Sequence, residues 1–410
     1  MNNIVELFSL GDIYVSDFLK PNHRPMKGKE DLTLVMEEDT RAVRLSKAVN
    51  PDLMYGEYWY RSGINATMRN ELKSIVDDCL GCITMSSGDI WVDIACNDGT
   101  MFKSIPDDII KIGIDPADDS YANESRQSSH LIIQDFFSAE VYKDCKFGNK
   151  KAKIVTAIAM FYDIEDPLPF LEDVCEILDD EGLFVLQMSY TPLMIKQLAF
   201  DNICHEHVYY YTLTSIKNLL EKANMQVVDC NLNDINGGSF RLHIRKKHAK
   251  ESNYKTCPHR DVANYRIESL LNQEKLEKLD TPEPYLEFFK NISDLKDQTF
   301  DFIKSEKSNG KTIWGYGAST KGNTLLQWFN LDHSLIDGIA ERNPVKYGLK
   351  TVGTNIPIYS EDDMRNAHPD YLLVLPWHFI KEFSQREKEY LDNGGKFIVP
   401  CPKFDIVGGG

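Results

Sequence analysis

The sequence predicts an α/β protein in which two doubly wound, Rossmann-like sheets are joined by a helical segment. Over residues 89–189, short apolar runs typical of buried strands alternate with helical stretches, and the same alternation begins again at residue 311. The stretch between them, residues 247–310, is polar, rich in Lys and Glu, and helical in its periodicity. Because successive parallel strands need a crossover connection, which is usually a helix, this alternation favours parallel sheets.

The first sheet is predicted strand by strand. Four apolar runs are its candidate strands: DIWVDIA (89–95), KIGID (111–115), HLIIQD (130–135) and KIVTAIAM (153–160). The segment PFLEDVCEILDDEG predicts a helix that ends at Gly182, and GLFVLQMS follows as the fifth strand. A helix over 211–225 then leads to two strands around a Gly-Gly turn, which favours an antiparallel edge.

The remaining segments complete a chain of four parts. Residues 1–60 predict short strands and loops, followed by a helix to about residue 80. After the strand KTIWGYG come a helix over 319–329 and the strands LIDGIA, YLLVLP and KFIVP. In the bridge, apolar residues share one helical face, which is typical of core packing: Tyr285, Leu286, Phe288, Phe289, Ile292, Leu295 and Phe302. The predicted parts are a small N-terminal domain (1–65), a central domain (66–245), a helical bridge (246–310) and a C-terminal domain (311–410).

The composition is that of a globular protein and argues against several partners. Of the 410 residues, 42% are apolar and 27% charged. The 63 Asp and Glu outnumber the 46 Lys and Arg, and a net charge of −17 disfavours nucleic acids and anionic membranes. No apolar run is long enough for a spanning helix, and the first residues lack a secretory pattern. Nine scattered Cys favour a reducing cytoplasm, and Cys79 and Cys82, a single C-x-x-C, are expected to be unpaired.

Acidic residues follow three successive strands of the first sheet. Asp93, Asp115 and Asp135 lie where ligands bind in open α/β sheets, beyond the carboxyl ends of the strands. Asp115 is placed to accept both hydroxyls of a ribose. The loop after the first strand contains Gly99 but no G-x-G-x-x-G, so it suits an adenosyl ligand without a diphosphate, such as S-adenosylmethionine.

The predicted cofactor-binding residues are Ser62, Asp93, Ala95, Asn97, Asp98, Asp115, Pro116, Asp135, Phe136 and Met160. The alternative is the same type of fold without any cofactor.

A second group of residues with acid–base chemistry follows the fifth strand, in DNICHEH (201–207). A neutral His is able to take a proton near pH 7, and a neighbouring carboxylate supports it, which makes His205, Glu206 and His207 candidates for catalysis. In an extended segment His205 and His207 share a face and Glu206 points away. Metal ligation and structural burial are the alternatives. Upstream, Tyr58 and Tyr60 are candidates to cap the pocket and stabilise an enolate oxygen, with core packing as the alternative.

A third group, WGYGASTKGN (314–323), follows a strand and opens a helix. Backbone N–H groups and Lys321 are predicted to hold a phosphate or diphosphate there. Thr320 stands where a dinucleotide fingerprint has its third glycine, so the alternative is a tight strand-to-helix turn alone. The predicted substrate-binding residues of this region and the next strand end are Gly315, Tyr316, Ala318, Ser319, Lys321, Asn323, Arg342 and Asn343.

Taken together, these motifs resemble a known family. DIACNDGT, GIDP, FDNICHEH, NGGSFRLHI, GYGASTKGNTLL and ERNPVKYG occur in this order, and the sequence is similar to the nucleotide-sugar C-methyltransferases, including the deoxysugar C-3 methyltransferases of tylosin and tetronitrose biosynthesis. The resemblance implies a small N-terminal domain, a central class I methyltransferase domain and a C-terminal nucleotide-binding domain. It also implies methyl transfer from S-adenosylmethionine, leaving S-adenosylhomocysteine, to a carbon beside the 4-keto group of a nucleoside-diphosphate hexose.

The resemblance implies roles for particular residues. His207 corresponds to the favoured base, Glu206 precedes it, and Tyr60 corresponds to a tyrosine of the family's YRSG-like segment. Cys204 stands where the family has Tyr, Asp163 where a His often lies, and Ala95 where the cofactor loop has Gly; the first two are candidate substrate contacts.

The N-terminal domain of the family usually carries four zinc cysteines. Here Glu37 and Thr40 stand where the second C-x-x-C pair is expected, and the first pair is missing as well. We therefore expect no structural zinc.

Three other functions remain open from the sequence alone. In the first, the protein methylates an oxygen or nitrogen atom, and His207 deprotonates an alcohol. In the second, the protein is an oxidoreductase that binds NAD at GYGAST. In the third, it is a non-catalytic sugar-nucleotide binder. The sequence gives no indication of the oligomeric state.

Overall fold

The fold was analysed in a computed structural model that describes residues 4–25, 28–38, 40–50, 61–250, 254 and 260–408. None of the helices in these ranges combines the length and the apolar character that crossing a bilayer requires.

The N-terminal region forms a sheet in which two strands are longer than predicted, and one strand of this sheet comes from the central region. Its strands are β1 (Ile4–Tyr14), β2 (Phe18–Leu19), β3 (Lys29–Glu37) and β4 (Val43–Leu45). β1, β3 and β4 pair antiparallel, and a fourth strand from the central region, β10 (Tyr209–Tyr210), pairs with β4. The prediction of short strands was wrong for β1 and β3, which have 11 and 9 residues. Their apolar residues pack in one core with the C-terminal sheet and the bridge.

The central region is an open sheet of seven strands. The order is β11-β12-β9-β8-β5-β6-β7; β5 to β9 are parallel, and β12 and β11 form the antiparallel edge that the Gly-Gly turn predicts. The strands are β5 (Ile90–Ile94), β6 (Ile110–Ile114), β7 (Leu131–Ile133), β8 (Ala152–Ile158), β9 (Leu178–Ser189), β11 (Met225–Asn233) and β12 (Ser239–Lys246). The helices are α1 (Ala66–Cys82), α2 (Asp119–Ser125), α3 (Ala139–Lys143), α4 (Pro167–Ile177), α5 (Thr191–Lys196) and α6 (Leu213–Lys222).

The largest difference from the predicted boundaries in this region is the end of a helix. The helix expected to end at Gly182 ends at Ile177, and β9 begins at the next residue. The polar start of β9 is held extended by ion pairs with its two neighbouring strands: Lys153 with Asp179 at 3.0 Å, Lys246 with Asp180 at 2.9 Å and Arg245 with Glu181 at 2.9 Å. These ion-pair partners lie on other strands, so the periodicity of a single segment does not reveal them.

The bridge consists of two helices, α7 (Arg260–Leu276) and α8 (Glu283–Ser308). The apolar face predicted for α8 packs into the core through Tyr285, Phe288, Ile292 and Leu295, whereas Leu286 is 48% exposed. Leu286 therefore lies outside the buried face.

The C-terminal region is the second Rossmann-like unit. Its strands are β13 (Ile313–Tyr316), β14 (Gly338–Glu341), β15 (Lys350–Thr351), β16 (Ile358–Ser360), β17 (Tyr371–Val374), β18 (Lys396–Val399) and β19 (Asp405–Val407). The order is β16-β14-β13-β17-β18-β19, parallel except for β19, and β15 pairs with β2 of the N-terminal region. The helices are α9 (Thr320–Trp328), α10 (Glu361–Ala367), α11 (Ile380–Arg386) and α12 (Lys388–Asp392).

A buried carboxylate attaches the bridge to the central region. Glu274 of α7 is 4% exposed and accepts hydrogen bonds from the Tyr190 hydroxyl at 2.7 Å and from the Thr214 hydroxyl and backbone N–H at 2.6 and 2.9 Å. It thereby satisfies the first turn of α6.

We expect Glu274→Ala to lower the free energy of unfolding by about 3 kcal/mol, because buried donors lose a charged acceptor. Urea unfolding followed by far-UV circular dichroism measures this. The exposed Glu268 of the same helix is the matched control, and an equal loss in Glu268→Ala is the outcome that contradicts the assignment.

Candidate active site

A cavity of about 480 Å³ lies at the carboxyl ends of β5, β6 and β8. Its walls come from both Rossmann-like units, since Asp93 and Asp115 line it together with His207 of the central region and Thr320 and Lys321 of α9. The predicted cofactor end and the proposed base therefore face one space.

The loop after β5 has an unusual backbone. Ala95 and Asn97 have φ values of 57° and 52°, in the left-handed region that disfavours residues with a Cβ, and Gly99 has a φ of 70°. The loop is anchored to the chain before α1, because the Asn97 side-chain oxygen accepts the Ser62 N–H at 3.0 Å. Ala95, Asn97 and Ser62 all line the cavity.

Asp98 has a different position from the one predicted. Its carboxylate accepts the N–H groups of Gly63 at 2.7 Å and Thr100 at 3.1 Å, and it is not among the residues that line the cavity. Asp98 therefore shapes the loop and does not face the ligand space.

The two acidic strand ends differ in their surroundings. Asp115 accepts the N–H groups of Asn97 at 2.7 Å and Ala117 at 2.8 Å, one on each carboxylate oxygen. Asp93 accepts the Thr156 hydroxyl at 2.6 Å on one oxygen. Burial raises the pKa of both carboxyls, that of Asp93 to about 7 with a contribution from the nearby Asp115. Each Asp115 oxygen has a second lone pair for a ligand hydroxyl.

These residues fit S-adenosylmethionine. Carboxylates suit the ligand's positive charge and its ribose hydroxyls, while Pro116, Phe136 and Met160 line the cavity as apolar contacts. Asp135, predicted beside them, is exposed and does not line the cavity: its carboxylate accepts the N–H of Phe136 at 2.8 Å. The turn that places Phe136 at the cavity directs Asp135 toward solvent.

His207 is held in one tautomer at the wall of this cavity. Its Nδ1 lies 2.7 Å from the Asn202 carbonyl oxygen, and since a carbonyl only accepts, Nδ1 carries the proton and Nε2 has a free lone pair. Burial, together with the Lys321 ammonium, holds the pKa of His207 well below its usual value. The imidazole is therefore neutral at physiological pH, the form that a base requires.

Asn202 also holds Lys321. Its side-chain oxygen accepts the Lys321 Nζ at 2.6 Å and the Ser189 hydroxyl at 3.2 Å, and its amide donates to the Ala199 carbonyl at 3.1 Å. The Tyr162 ring packs on His207 with centroids 4.1 Å apart. Tyr162 and Asn202 were not predicted as site residues; both lie beside predicted ones, but nothing in the local pattern separates them from core residues.

The CHEH segment forms a turn. The prediction that His205 and His207 lie on the same face of an extended segment was therefore wrong. The His207 N–H bonds to the Cys204 carbonyl at 3.1 Å, and His205 turns to the N-terminal sheet, where its Nε2 bonds to the Glu30 carbonyl at 3.0 Å. Glu206 and His207 line the cavity, as does Asp163, whereas His205 and Cys204 are buried outside it. Burial raises the pKa of the Cys204 thiol.

The residues of the predicted phosphate motif make contacts in different parts of the structure. Asn323 donates to the Asp17 carbonyl at 3.0 Å, and the Ala318 N–H bonds to Glu341 at 2.7 Å, so neither contacts the cavity. The Tyr316 hydroxyl donates to Glu387 at 2.7 Å inside the C-terminal core. The N-terminal region thus covers a face of α9 that the sequence assigned to substrate.

The other members of the motif make backbone contacts. Gly315 is buried in β13, Ser319 caps α9 by accepting the Gly322 N–H at 2.9 Å, and Asn343 caps a short turn by accepting the Val345 N–H at 3.2 Å. Arg342 is exposed. Of the substrate residues predicted from this motif and the next strand end, only Lys321 lines the cavity; Tyr58 and Tyr60 lie outside the described residues.

Two groups of side chains are relevant to metal binding. Where the resemblance implies zinc cysteines, Glu37 instead accepts hydrogen bonds from Thr40 at 2.7 Å and Arg44 at 2.8 Å; although burial opposes it, these bonds lower the pKa of Glu37. Elsewhere the Asp78, Cys82 and His243 side chains converge. Arg241 donates to Asp78 at 2.9 Å, and its positive charge disfavours a cation there.

Comparisons with known proteins agree with this arrangement. Residues 64–229 match a family model described as a methyltransferase domain, and residues 234–402 match a C-methyltransferase C-terminal domain. The C-methyltransferase NovU of Streptomyces niveus is 29% identical over 366 residues, which is 88% of this chain and 84% of that protein.

Solved structures are similar over less than half of the chain. An S-adenosylmethionine-dependent methyltransferase from Clostridium acetobutylicum has 13% identity and a TM-score of 0.33, covering 43% of this chain and 92% of its own. The magnesium protoporphyrin IX methyltransferase of Synechocystis with bound S-adenosylhomocysteine has 11% identity and a TM-score of 0.34, covering 47% and 90%.

The fold and the matched central domain define an S-adenosylmethionine-dependent methyltransferase of class I. The C-terminal domain model and the NovU relative are both those of C-methyltransferases, and the chain is similar to these proteins. The oxidoreductase and non-catalytic alternatives are thereby set aside.

We expect Asp115→Asn to weaken S-adenosylhomocysteine binding about 10- to 100-fold, because a charged acceptor for the ribose is worth about 1.5–3 kcal/mol. Isothermal titration calorimetry measures the affinity. Asp135→Asn, one strand further along, is the control and keeps wild-type affinity; equal losses in both variants contradict the assignment of Asp115.

Proposed function

We propose that this protein methylates a carbon beside the 4-keto group of a nucleoside-diphosphate hexose, with His207 as the base. The observation that carries the proposal is the cavity that His207, whose Nδ1 is held by Asn202, lines together with the cofactor carboxylate Asp115. A base beside a methyl donor serves carbon methylation when the acceptor carbon has an acidic hydrogen.

The chemistry of the acceptor follows from what His207 is able to deprotonate. An ordinary sugar C–H bond does not ionise near neutral pH, whereas a C–H bond beside a ketone does so more readily, because the negative charge spreads to the carbonyl oxygen. The hydrogen bond to Asn202 fixes the ring orientation, and packing on Tyr162 limits its rotation. Glu206, at the cavity wall beside His207, is the proposed carboxylate that favours the imidazolium.

The cofactor end is proposed to be formed by Asp93, Asp115, Phe136 and Met160, which line the cavity. When bound there, S-adenosylmethionine supplies an electrophilic methyl group. The residues of the chain do the rest of the work by placing the carbon acceptor against it and by excluding water.

The sugar-nucleotide class of the acceptor is supported by the resemblance of the motifs, and carbon as the acceptor atom is supported by the NovU relative, whose name records C-methylation. Cys204 and Asp163, which depart from the family pattern, are proposed to affect the choice of sugar: Asp163 lines the cavity, and Cys204 lies in the turn that carries His207.

We expect His207→Gln to lower kcat for methyl transfer at least 100-fold while S-adenosylhomocysteine affinity stays unchanged, because the variant lacks the base but not the cofactor contacts. The assay follows transfer of a radiolabelled methyl group to a panel of nucleoside-diphosphate 4-keto-6-deoxyhexoses. His205→Gln is the matched control, since His205 faces the N-terminal sheet. Turnover that survives in His207→Gln eliminates His207 as the base.

Hydrogen exchange tests carbon methylation directly. In D₂O with S-adenosylhomocysteine, the wild-type protein is expected to introduce deuterium at the carbon beside the ketone, and His207→Gln is expected not to. NMR of the sugar measures the exchange. Methyl transfer to an oxygen or nitrogen without any exchange contradicts the enolate mechanism.

A further inference from the structure

We propose that the Lys321 ammonium binds the carbonyl oxygen of the acceptor and stabilises the enolate, instead of binding the diphosphate as its motif predicts. This inference rests on the proposed function, which assigns the base but leaves the developing negative charge on oxygen without a donor among the described residues. It gives one residue of the C-terminal unit a direct part in the chemistry.

The first support is position. Lys321 lines the cavity with His207, although it belongs to the first turn of α9. Asn202 holds both: its backbone carbonyl bonds to the His207 ring at 2.7 Å and its side-chain oxygen bonds to the Lys321 Nζ at 2.6 Å. The base and the ammonium are therefore positioned by the same buried residue.

The second support is unused hydrogen-bonding capacity. An ammonium group has three N–H donors, and the Asn202 contact uses one. Within the part of the chain that the structure describes, Lys321 has no carboxylate at ion-pair distance, whereas Lys346 nearby is buried against the Ala318 carbonyl at 2.7 Å. Lys321 is half-buried and lines the cavity, so its remaining donors are available to a ligand there.

The third support is charge, and it decides between the two candidate ligands of Lys321. Among the described residues that line the cavity, Lys321 has the only Lys or Arg side chain, and the acidic ones are Asp93, Asp115, Asp163, Glu165, Asp166, Asp173 and Glu206. A diphosphate placed against these carboxylates is repelled, and one ammonium does not compensate. A neutral carbonyl oxygen meets no such penalty and gains a charged donor as it becomes an enolate.

The steps balance as follows. The Nε2 lone pair of His207 takes the proton from the carbon, the C–H electron pair forms a carbon–carbon double bond, and the carbonyl π pair moves to oxygen, where Lys321 donates to it. The enolate carbon then forms a bond to the methyl group of S-adenosylmethionine, and the sulfur keeps the electron pair of the bond that breaks. The proton remains on His207 until the product leaves.

The experiment compares Lys321→Met, which keeps the length of the side chain without its charge, with Lys321→Arg and with Lys381→Met, an exposed lysine of the same unit. Deuterium exchange into saturating nucleoside-diphosphate 4-keto-6-deoxyhexose is expected to fall 100-fold or more in Lys321→Met, to recover in part in Lys321→Arg and to stay unchanged in Lys381→Met. Thermal unfolding and S-adenosylhomocysteine affinity check that each variant is folded.

Binding of thymidine and uridine diphosphates, which have no ketone, separates the two roles of Lys321. If Lys321→Met binds the diphosphates with unchanged affinity, the carbonyl role is supported. If Lys321→Met loses diphosphate affinity but exchanges deuterium at the normal rate at saturation, the carbonyl role is overturned. If the wild-type protein binds S-adenosylhomocysteine but exchanges no 4-keto sugar, the proposed acceptor itself is wrong. Exchange in the wild type that persists in Lys321→Met refutes the role of Lys321 alone.

The pH profile gives a second readout. Because burial and the Lys321 charge both lower the pKa of His207, removing the charge makes the imidazole easier to protonate. The acidic limb of the residual exchange rate is therefore expected to move to higher pH in Lys321→Met and to stay in place in Lys321→Arg. An unmoved limb in Lys321→Met shows that the two groups do not face the same space.

Discussion

The active site depends on the two oxygen atoms of Asn202, because they connect segments that the sequence separates widely. The backbone oxygen fixes the tautomer of His207, and the side-chain oxygen fixes a lysine 119 residues further along the chain. Asn202 is only 1% exposed, and its amide group bonds to the Ala199 carbonyl at 3.1 Å, so its side chain has a single orientation. Lys321 of the C-terminal unit is thus held at the cavity by one amide of the central unit, and the relative placement of the proposed base and ammonium depends on that amide.

Sequence periodicity predicted the parts of the site that depend on local structure. β5 and β6 end within one residue of their apolar runs, so Asp93 and Asp115 could be placed at one edge from their positions in the sequence. Asp135 shows the limit of this argument: it also follows a strand, but it is exposed, and its carboxylate accepts the N–H of the next residue. A strand end gives the edge of the sheet, and only the backbone of the following loop gives the direction of a side chain.

The contacts between distant segments could not be predicted in this way. His205 and His207 look equivalent in the sequence, yet a turn directs one to the N-terminal sheet and the other to the cavity. The glycine-containing motif before α9 has the appearance of a phosphate loop, but Asn323 and Gln327 on this helix bond to the N-terminal region through the carbonyls of Asp17 and Tyr14. The same helix therefore joins two regions and supplies Lys321 to the site, and which role each residue has is decided by tertiary packing.

The charges of the cavity are arranged in a way that suits the proposed reaction. At one end, burial raises the pKa of Asp93 to about 7, so this carboxyl carries a proton for much of the time near neutral pH. A bound sulfonium favours its ionised form, because an adjacent positive charge lowers the pKa of a carboxyl group. At the other end, burial and Lys321 keep His207 neutral until a proton arrives from the substrate. Negative charge is thus favoured beside the methyl donor and positive charge beside the acceptor oxygen, and this polarity matches a reaction in which a cation and an enolate combine to give neutral products.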